Sequence, residues 1–200
     1  MLKKLIESNR SYRRFFQDKE ISSEKLMSFV DAARLSSSPR NQQALKFILV
    51  NEQGLNSKIF PLTAWAGAIT DWEGPVEGER PSAYIIILGD NSILEKGKKT
   101  YHEVASGVAA QSIMLAAVEE GYGGCMIAAI KRKPLRKLLK IKEKYEILLV
   151  LALGKPKEKV VINEMPDDGD FNYWRDKNNT HHVPKRSIDE IILNSKKDFS

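Results

Sequence analysis

Cysteine is almost missing from the sequence: Cys125 stands alone in 200 residues, so no disulfide can close within the chain. That usage fits a reducing compartment and a cytoplasmic protein. Histidine is nearly as scarce. His102-Glu103 has Ser106 where a helical zinc pair would need its second histidine, and His181 and His182 are adjacent, so a shared metal is not expected. Long apolar runs are absent as well. IMLAAV and ILLVLAL fall far short of the roughly 18–20 residues of a membrane span, so no membrane partner is expected. MLKKLIESNR lacks the apolar stretch and small-residue cleavage site of a secretory signal.

Several chemical motifs are missing too. There is no Walker loop and no GxSxG elbow. GYGGCM fails as a dinucleotide fingerprint, because Met126 replaces the third glycine and the segment leads from a helix into a strand. Cys125 lies among apolar residues with no base nearby, the setting of an inert buried thiol. What remains is an ordinary soluble composition, 42% hydrophobic and 29% charged, with a net charge of +6 that favours anionic partners. Lys131 to Lys144 holds eight basic residues and one acid, but no nucleic-acid module or interleaved aromatics accompany them. A solvated helix face is the simpler reading, and no nucleic-acid partner is expected.

The order of elements is legible. Residues 1–10 read as a short helix. Ser22-Ser23-Glu24 caps a second, with Leu26, Phe29, Val30 and Ala33 at helical spacing, ending before Pro39. LKFILV (45–50) and AYIIILG (83–89) read as strands. Residues 101–120 form the longest helix, with Val104, Val108, Gln111, Leu115 and Val118 on one stripe and alanines elsewhere, the pattern of a helix buried nearly all round. Strands follow at 124–130 and 146–154, with a basic helix from Pro134 to Lys140 between them. The last 46 residues are polar and look unable to build a core, so they are expected to wrap another surface. Ser187 to Glu190 spells a capping box that opens a final helix. The alternation leaves α/β and α+β layer folds open.

NRSYRRF (9–15) packs three arginines and a serine into seven residues. Two readings compete. The cluster is a solvated charge run, or it grips an anion such as phosphate, whose oxygens match the planar fork of arginine.

RSYRRF, SSPRNQQ (37–43), GVAAQSIMLAAVEEGYGG (107–124), LGKP (153–156) and VPKRSIDEI (183–191) occur in an order and spacing that resemble the flavin-dependent nitroreductase family. The resemblance spans essentially the whole chain. It implies one α+β domain over residues 1–200, with three layers, a central and mainly antiparallel sheet flanked by helices, and an intertwined homodimer with FMN at the subunit interface. It also implies a lid-like segment at about 61–82 and a partner-wrapping tail at about 155–200.

The expected cofactor contacts are Arg10, Ser11, Arg13, Ser38, Asn41, Gln43, Gly123, Gly124 and Arg186. Arg10, Ser11 and Arg186 would meet the phosphate, and Arg13 the N1 and O2 edge of the ring. Asn41 and Gln43 would present amides to the flavin edge. Gly123 and Gly124 would let the ring lie against backbone, or cap the preceding helix, or both. Arg14 falls on the other side of the alternation and reads as a surface charge. Trp65 and Trp72 would roof the substrate pocket or fill the core beneath the lid. The implied activity is NAD(P)H oxidation with hydride passing through flavin N5 to a nitroaromatic or quinone-like oxidant, in a ping-pong cycle. Another flavin reaction on the same scaffold, such as dehalogenation, enone reduction or flavin fragmentation, stays open, as does a non-catalytic basic protein.

Overall fold

The computed structural model describes residues 2–69, 72–93 and 99–193. The chain divides into two compact units, Met1–Ala66 with Glu73–Lys157, and Gly67–Trp72 with Glu158–Ser200.

The first unit starts with α1 (Leu2–Ser8), followed by the two-residue strand β1 (Phe15–Phe16). Helix α2 (Ser23–Leu35) is capped by Ser22, whose hydroxyl accepts from the Lys25 amide at 3.3 Å. A 3-10 turn at Pro39–Asn41 leads to β2 (Leu45–Val50). Helix α3 (Gln53–Ile59) and a second 3-10 turn precede β3 (Ala83–Asp90). Then come α4 (Lys99–Glu119), β4 (Gly123–Ile127), α5 (Arg132–Leu138) and the long β5 (Tyr145–Pro156).

These strands build one five-stranded sheet in the order β1-β5-β3-β2, with β4 also pairing β5. Every pairing is antiparallel. The fold is therefore α+β. β3 is buried along its whole length, which explains why its sequence is a continuous apolar run rather than an alternating one. Its residues Ile85 and Ile87 pack with Leu151 and Leu153 of β5 under α2 and α4, through Leu26, Phe29, Ile113 and Met114.

One expectation needs correction. The core face of α4 is its small-residue face, Ala105, Ala109, Ala110 and Ala117 with Ile113 and Met114. Alanines let the helix axis approach the sheet closely, since interaxial distance follows side-chain size. The stripe of Val104, Val108, Gln111, Leu115 and Val118 faces away, with Val104 52% exposed. The helix is not buried all round.

The second unit forms a three-stranded sheet of its own. β6 (Val160–Glu164) lies parallel to β8 (His181–Lys185), and β7 (Trp174–Arg175) pairs with β8 antiparallel. His181 is fully buried, and the Trp174 and His182 rings stack at 4.9 Å. Arg175 pairs with Glu158 at 3.0 Å and covers the Trp72 ring at 4.1 Å. The polar tail thus organises itself more than its composition suggests. Its last described helix, α6 (Ile188–Ile191), carries the expected capping box between Ser187 and Glu190.

Candidate functional site

The segment from Asn9 to Phe15 is extended, and it does not lie free on the surface. Ser11 bridges Gly124 in parallel, and the Tyr12 amide donates to the Gly124 carbonyl at 2.9 Å. The arginine motif is thereby added to the edge of the sheet beside the paired glycines. Asn9 anchors its start by donating to Gln111 of α4 at 3.3 Å. One position further along α4, Ser112 shares a 2.6 Å hydrogen bond with Ser36, where the second candidate loop departs. The same helix turn thus holds the beginnings of both segments.

Within the motif the three arginines differ. Arg10 donates one guanidinium nitrogen to the Ile6 carbonyl at 2.7 Å, while its buried Nε has no partner among the described residues. Arg13 is only 8% exposed and donates to the Ser11 carbonyl at 3.1 Å, which ties its charge to the strand. Arg14 is not the surface charge that alternation suggested. It forks onto Glu79, Nε to Oε2 at 2.5 Å and Nη2 to Oε1 at 2.8 Å, and Lys157 adds a third contact at 3.0 Å. The Arg14 hydrogen bond is the main reason the Glu79 carboxyl is held down at about 2, well below its ordinary 4.5. The Phe15 amide also donates to the Glu79 carbonyl at 2.9 Å. Glu79 is the residue that sequence reasoning missed. Its partner Arg14 lies 65 positions away, beyond any local spacing rule.

The glycines also need a revised account. A Cβ on Gly124 would stand 2.4 Å from the Ala152 carbonyl oxygen, and one on Gly123 would stand 2.5 Å from the Tyr12 ring. Both positions are closed to side chains by the protein itself. A larger residue at 124 would therefore disturb the sheet itself. The adjoining Gly121 has φ +76°, the left-handed turn that ends α4, so the helix cap sits there.

The loop Ser38–Gln43 is tightly wound. Arg40, Asn41 and Gln43 have φ of 53°, 53° and 50°, in the left-handed region that non-glycine residues rarely adopt. Such backbone persists only where surroundings hold it, and it clusters at ligand sites. Here Ser38 does part of the holding. Its carbonyl accepts from the Asn41 amide at 2.9 Å and its hydroxyl from the Gln43 amide at 3.3 Å. The side chains of Asn41 and Gln43 are exposed, and Gln43 borders a cleft of about 160 Å³ floored by Ala109, Leu45 and Phe47.

Arg186 lies in the second unit, exposed, with Nη1 on Glu190 at 3.1 Å. Trp72 belongs to that unit too, beneath Arg175. Trp65 is buried in the first unit, its indole donating to Thr63 at 3.0 Å and its ring against Phe60. That is a core position. The structure thus unites Arg10, Ser11, Arg13, Gly123 and Gly124 directly, and links them through α4 to the Ser38–Gln43 loop.

The donors of this corner fit an FMN phosphate: the Arg10 guanidinium, whose buried Nε has no partner among the described residues, and the Ser11 hydroxyl. Comparison with known proteins identifies the family. A protein of Archaeoglobus fulgidus, provisionally named an NADH dehydrogenase/NAD(P)H nitroreductase, is 27% identical over 82% of this chain and 90% of its own. An FMN-dependent nitroreductase from Clostridium difficile superposes with a TM-score of 0.61 at 24% identity, covering 78% of this chain and 87% of its own. A protein from Exiguobacterium sibiricum, provisionally named a nitroreductase and solved in complex with FMN, superposes with a TM-score of 0.66 at 18% identity, over 79% of this chain and 89% of its own. The model of the nitroreductase family matches residues 6–155, and the chain belongs to that family.

Proposed function

We propose that this chain is an FMN-dependent NAD(P)H oxidoreductase that reduces nitroaromatic or quinone-like acceptors in a ping-pong cycle, and that it works as a homodimer. The observation that carries the reading is the Ser11–Gly124 bridge, which joins the arginine motif to the paired glycines in one rigid corner. Bound FMN would supply the redox chemistry, taking hydride at N5 from NAD(P)H and releasing electrons to the acceptor. The chain's own task is binding, orientation and charge. Arg10 and Ser11 serve the phosphate, with Arg186 as a further ligand. Arg13, fixed by its bond to the Ser11 carbonyl, holds positive charge against the ring edge, where it favours the reduced, anionic cofactor. Asn41 and Gln43 orient the ring through exposed amides held by a strained backbone. Trp72 is the remaining candidate for the substrate pocket.

The dimer is supported by the apolar stripe on α4, Val104, Val108, Leu115 and Val118, which turns away from the core of its own unit. The direct test is the colour and turnover of the purified protein. It should bind FMN, and under anaerobic conditions it should oxidise NAD(P)H only when a nitro compound or quinone is added. A colourless protein that takes up no FMN ends this reading. A yellow protein that turns over neither acceptor leaves a different flavin reaction.

A further inference from the structure

Away from the arginine corner, the first unit holds a cavity of about 240 Å³ whose polar lining is left unpaired. Asn56 of α3 is 7% exposed, Ser82 is 6% exposed and Tyr84 of β3 is fully buried. All three line this cavity, and Asn56 Oδ1, Ser82 Oγ and the Tyr84 hydroxyl lack any partner among the described residues. So does Arg80 Nε at the same wall. Buried polar groups are ordinarily satisfied, because an unmade hydrogen bond in a dry setting costs the whole desolvation penalty. Four such atoms around one space indicate an occupant. None of these residues belongs to the candidate flavin site.

The chemistry of the four atoms defines that occupant. Asn56 is oriented by its own amide nitrogen, which donates to the Ser82 carbonyl at 2.7 Å. Its Oδ1 is therefore a fixed acceptor awaiting a donor. Arg80 Nε is a fixed donor, since its neighbouring Nη1 is engaged by Glu77 and its guanidinium is stacked on Phe60 at 4.3 Å. Burial pushes the Tyr84 hydroxyl above its ordinary value, so it stays protonated and can also donate. Ser82 can do either. The lining thus asks for one molecule presenting a carbonyl oxygen and an N–H together. Asp18 and Glu20, both exposed, line the same cavity and disfavour an anion. The volume is far above the roughly 10–15 Å³ that one water needs, yet below the usual range for cofactor-sized ligands.

We infer that this cavity is a binding site for a small neutral carboxamide, separate from the flavin. Acetamide and propionamide are the probes, acetate the anionic control of equal shape, and glycerol the polyol control. Each is titrated into the isotope-labelled full chain while the backbone amide signals of residues 53–57 and of Arg80, Ser82, Ala83 and Tyr84 are followed. The two amides should shift these signals saturably, and acetate and glycerol should not. Tyr84→Phe and Ser82→Ala remove no hydrogen bond that holds the fold, and each should weaken amide binding about tenfold, the worth of one hydrogen bond. Thermal melts confirm that each variant is folded; if one is not, the other variant and the amide-to-acetate contrast in wild type decide. Acetate or glycerol binding as well as the amides overturns the assigned chemistry. No saturable shift shows that the cavity holds water only, and equal affinity in wild type and both variants shows that the unpaired hydroxyls do not recognise the amide; either result overturns the proposal. Neither readout involves flavin, so the outcome is independent of the proposed activity.

Discussion

Arg14 and Glu79 form a two-pronged ion pair, with contacts of 2.5 and 2.8 Å, that fastens the arginine motif to the segment preceding β3. Both side chains are largely buried, at 22% and 13% exposure, so the pair is not the kind of surface bridge that contributes nothing. Its place in the chain matters as much as its energy. Arg14 follows Arg13 directly, and the Arg14 carbonyl accepts from the Lys157 amide at 2.9 Å. Glu79 therefore sets where the arginine motif stands without being among its proposed cofactor contacts.

Glu79→Gln tests this. The variant keeps the shape but loses the charge, and should cost about 2 kcal/mol, the range for hydrogen bonds to charged groups. The pH dependence has a definite sign. A carboxyl held at about 2 in the folded chain, against 4.5 ordinarily, stabilises the fold fully above pH 4.5. That stabilisation is lost as pH falls from 4.5 towards 2. The gap between wild type and variant, measured by urea unfolding, should be constant from pH 8 to about pH 5 and close below it. A gap that persists unchanged at pH 3 would show that the charge is not what matters.

Gly124→Ala reads the paired glycines. With the Ala152 carbonyl oxygen 2.4 Å from the new Cβ, either β4 or β5 must shift. Overpacking of this kind costs about 1–3 kcal/mol, and here the obstacle is backbone. The apo-protein should melt several degrees lower, before any flavin is added. An unchanged melting temperature with lost FMN affinity would return this glycine to a purely cofactor role.

The sequence and the structure agree where local rules suffice. β2 and β3 were legible because apolar runs bounded by proline and glycine have few alternatives. The caps at Ser22 and Ser187 were legible because capping chemistry spans only three residues. Helix α3 was not, since QGLNSKI offers a glycine near its start and buries an asparagine beside Ile59. The sheet of the second unit escaped because β6 and β8 are only five residues each and pair in parallel across some twenty residues, with no turn signal to join them. In the site, the basic motif and the loop at 38–43 were visible as motifs. The Ser11–Gly124 bridge, the Glu79 clamp and the closed space at Gly124 were not, because each depends on a neighbour distant in sequence.

The stripe on α4 predicts how the chain associates. Val104 is half exposed although it lies in the longest helix, and Val108, Leu115 and Val118 continue the same face. Val104→Glu places a charge there without touching the alanine face that packs on the sheet. It should convert dimer to monomer in sedimentation velocity, with the secondary structure retained. A variant that stays dimeric places the interface elsewhere.

The two arginines of the corner predict different losses. Arg10 carries a buried Nε without a partner among the described residues, which suits a phosphate ligand, whereas Arg13 is fixed through the Ser11 carbonyl. Arg10→Ala should weaken FMN binding by about 1.5–3 kcal/mol, as expected when a hydrogen bond to a charged group is removed. It should leave riboflavin, which has no phosphate, unaffected. Arg186→Ala should behave likewise, since among the described residues its side chain is held by an exposed contact with Glu190 alone. Arg13→Ala should weaken both flavins and lower the reduction potential, because the reduced ring loses its positive neighbour. Both flavins are titrated into each apo-variant, and the reconstituted proteins are then titrated potentiometrically. Equal losses for FMN and riboflavin in the Arg10 variant would remove that residue from the phosphate. An unchanged potential in the Arg13 variant would remove Arg13 from the ring edge, leaving it a structural tie for Ser11.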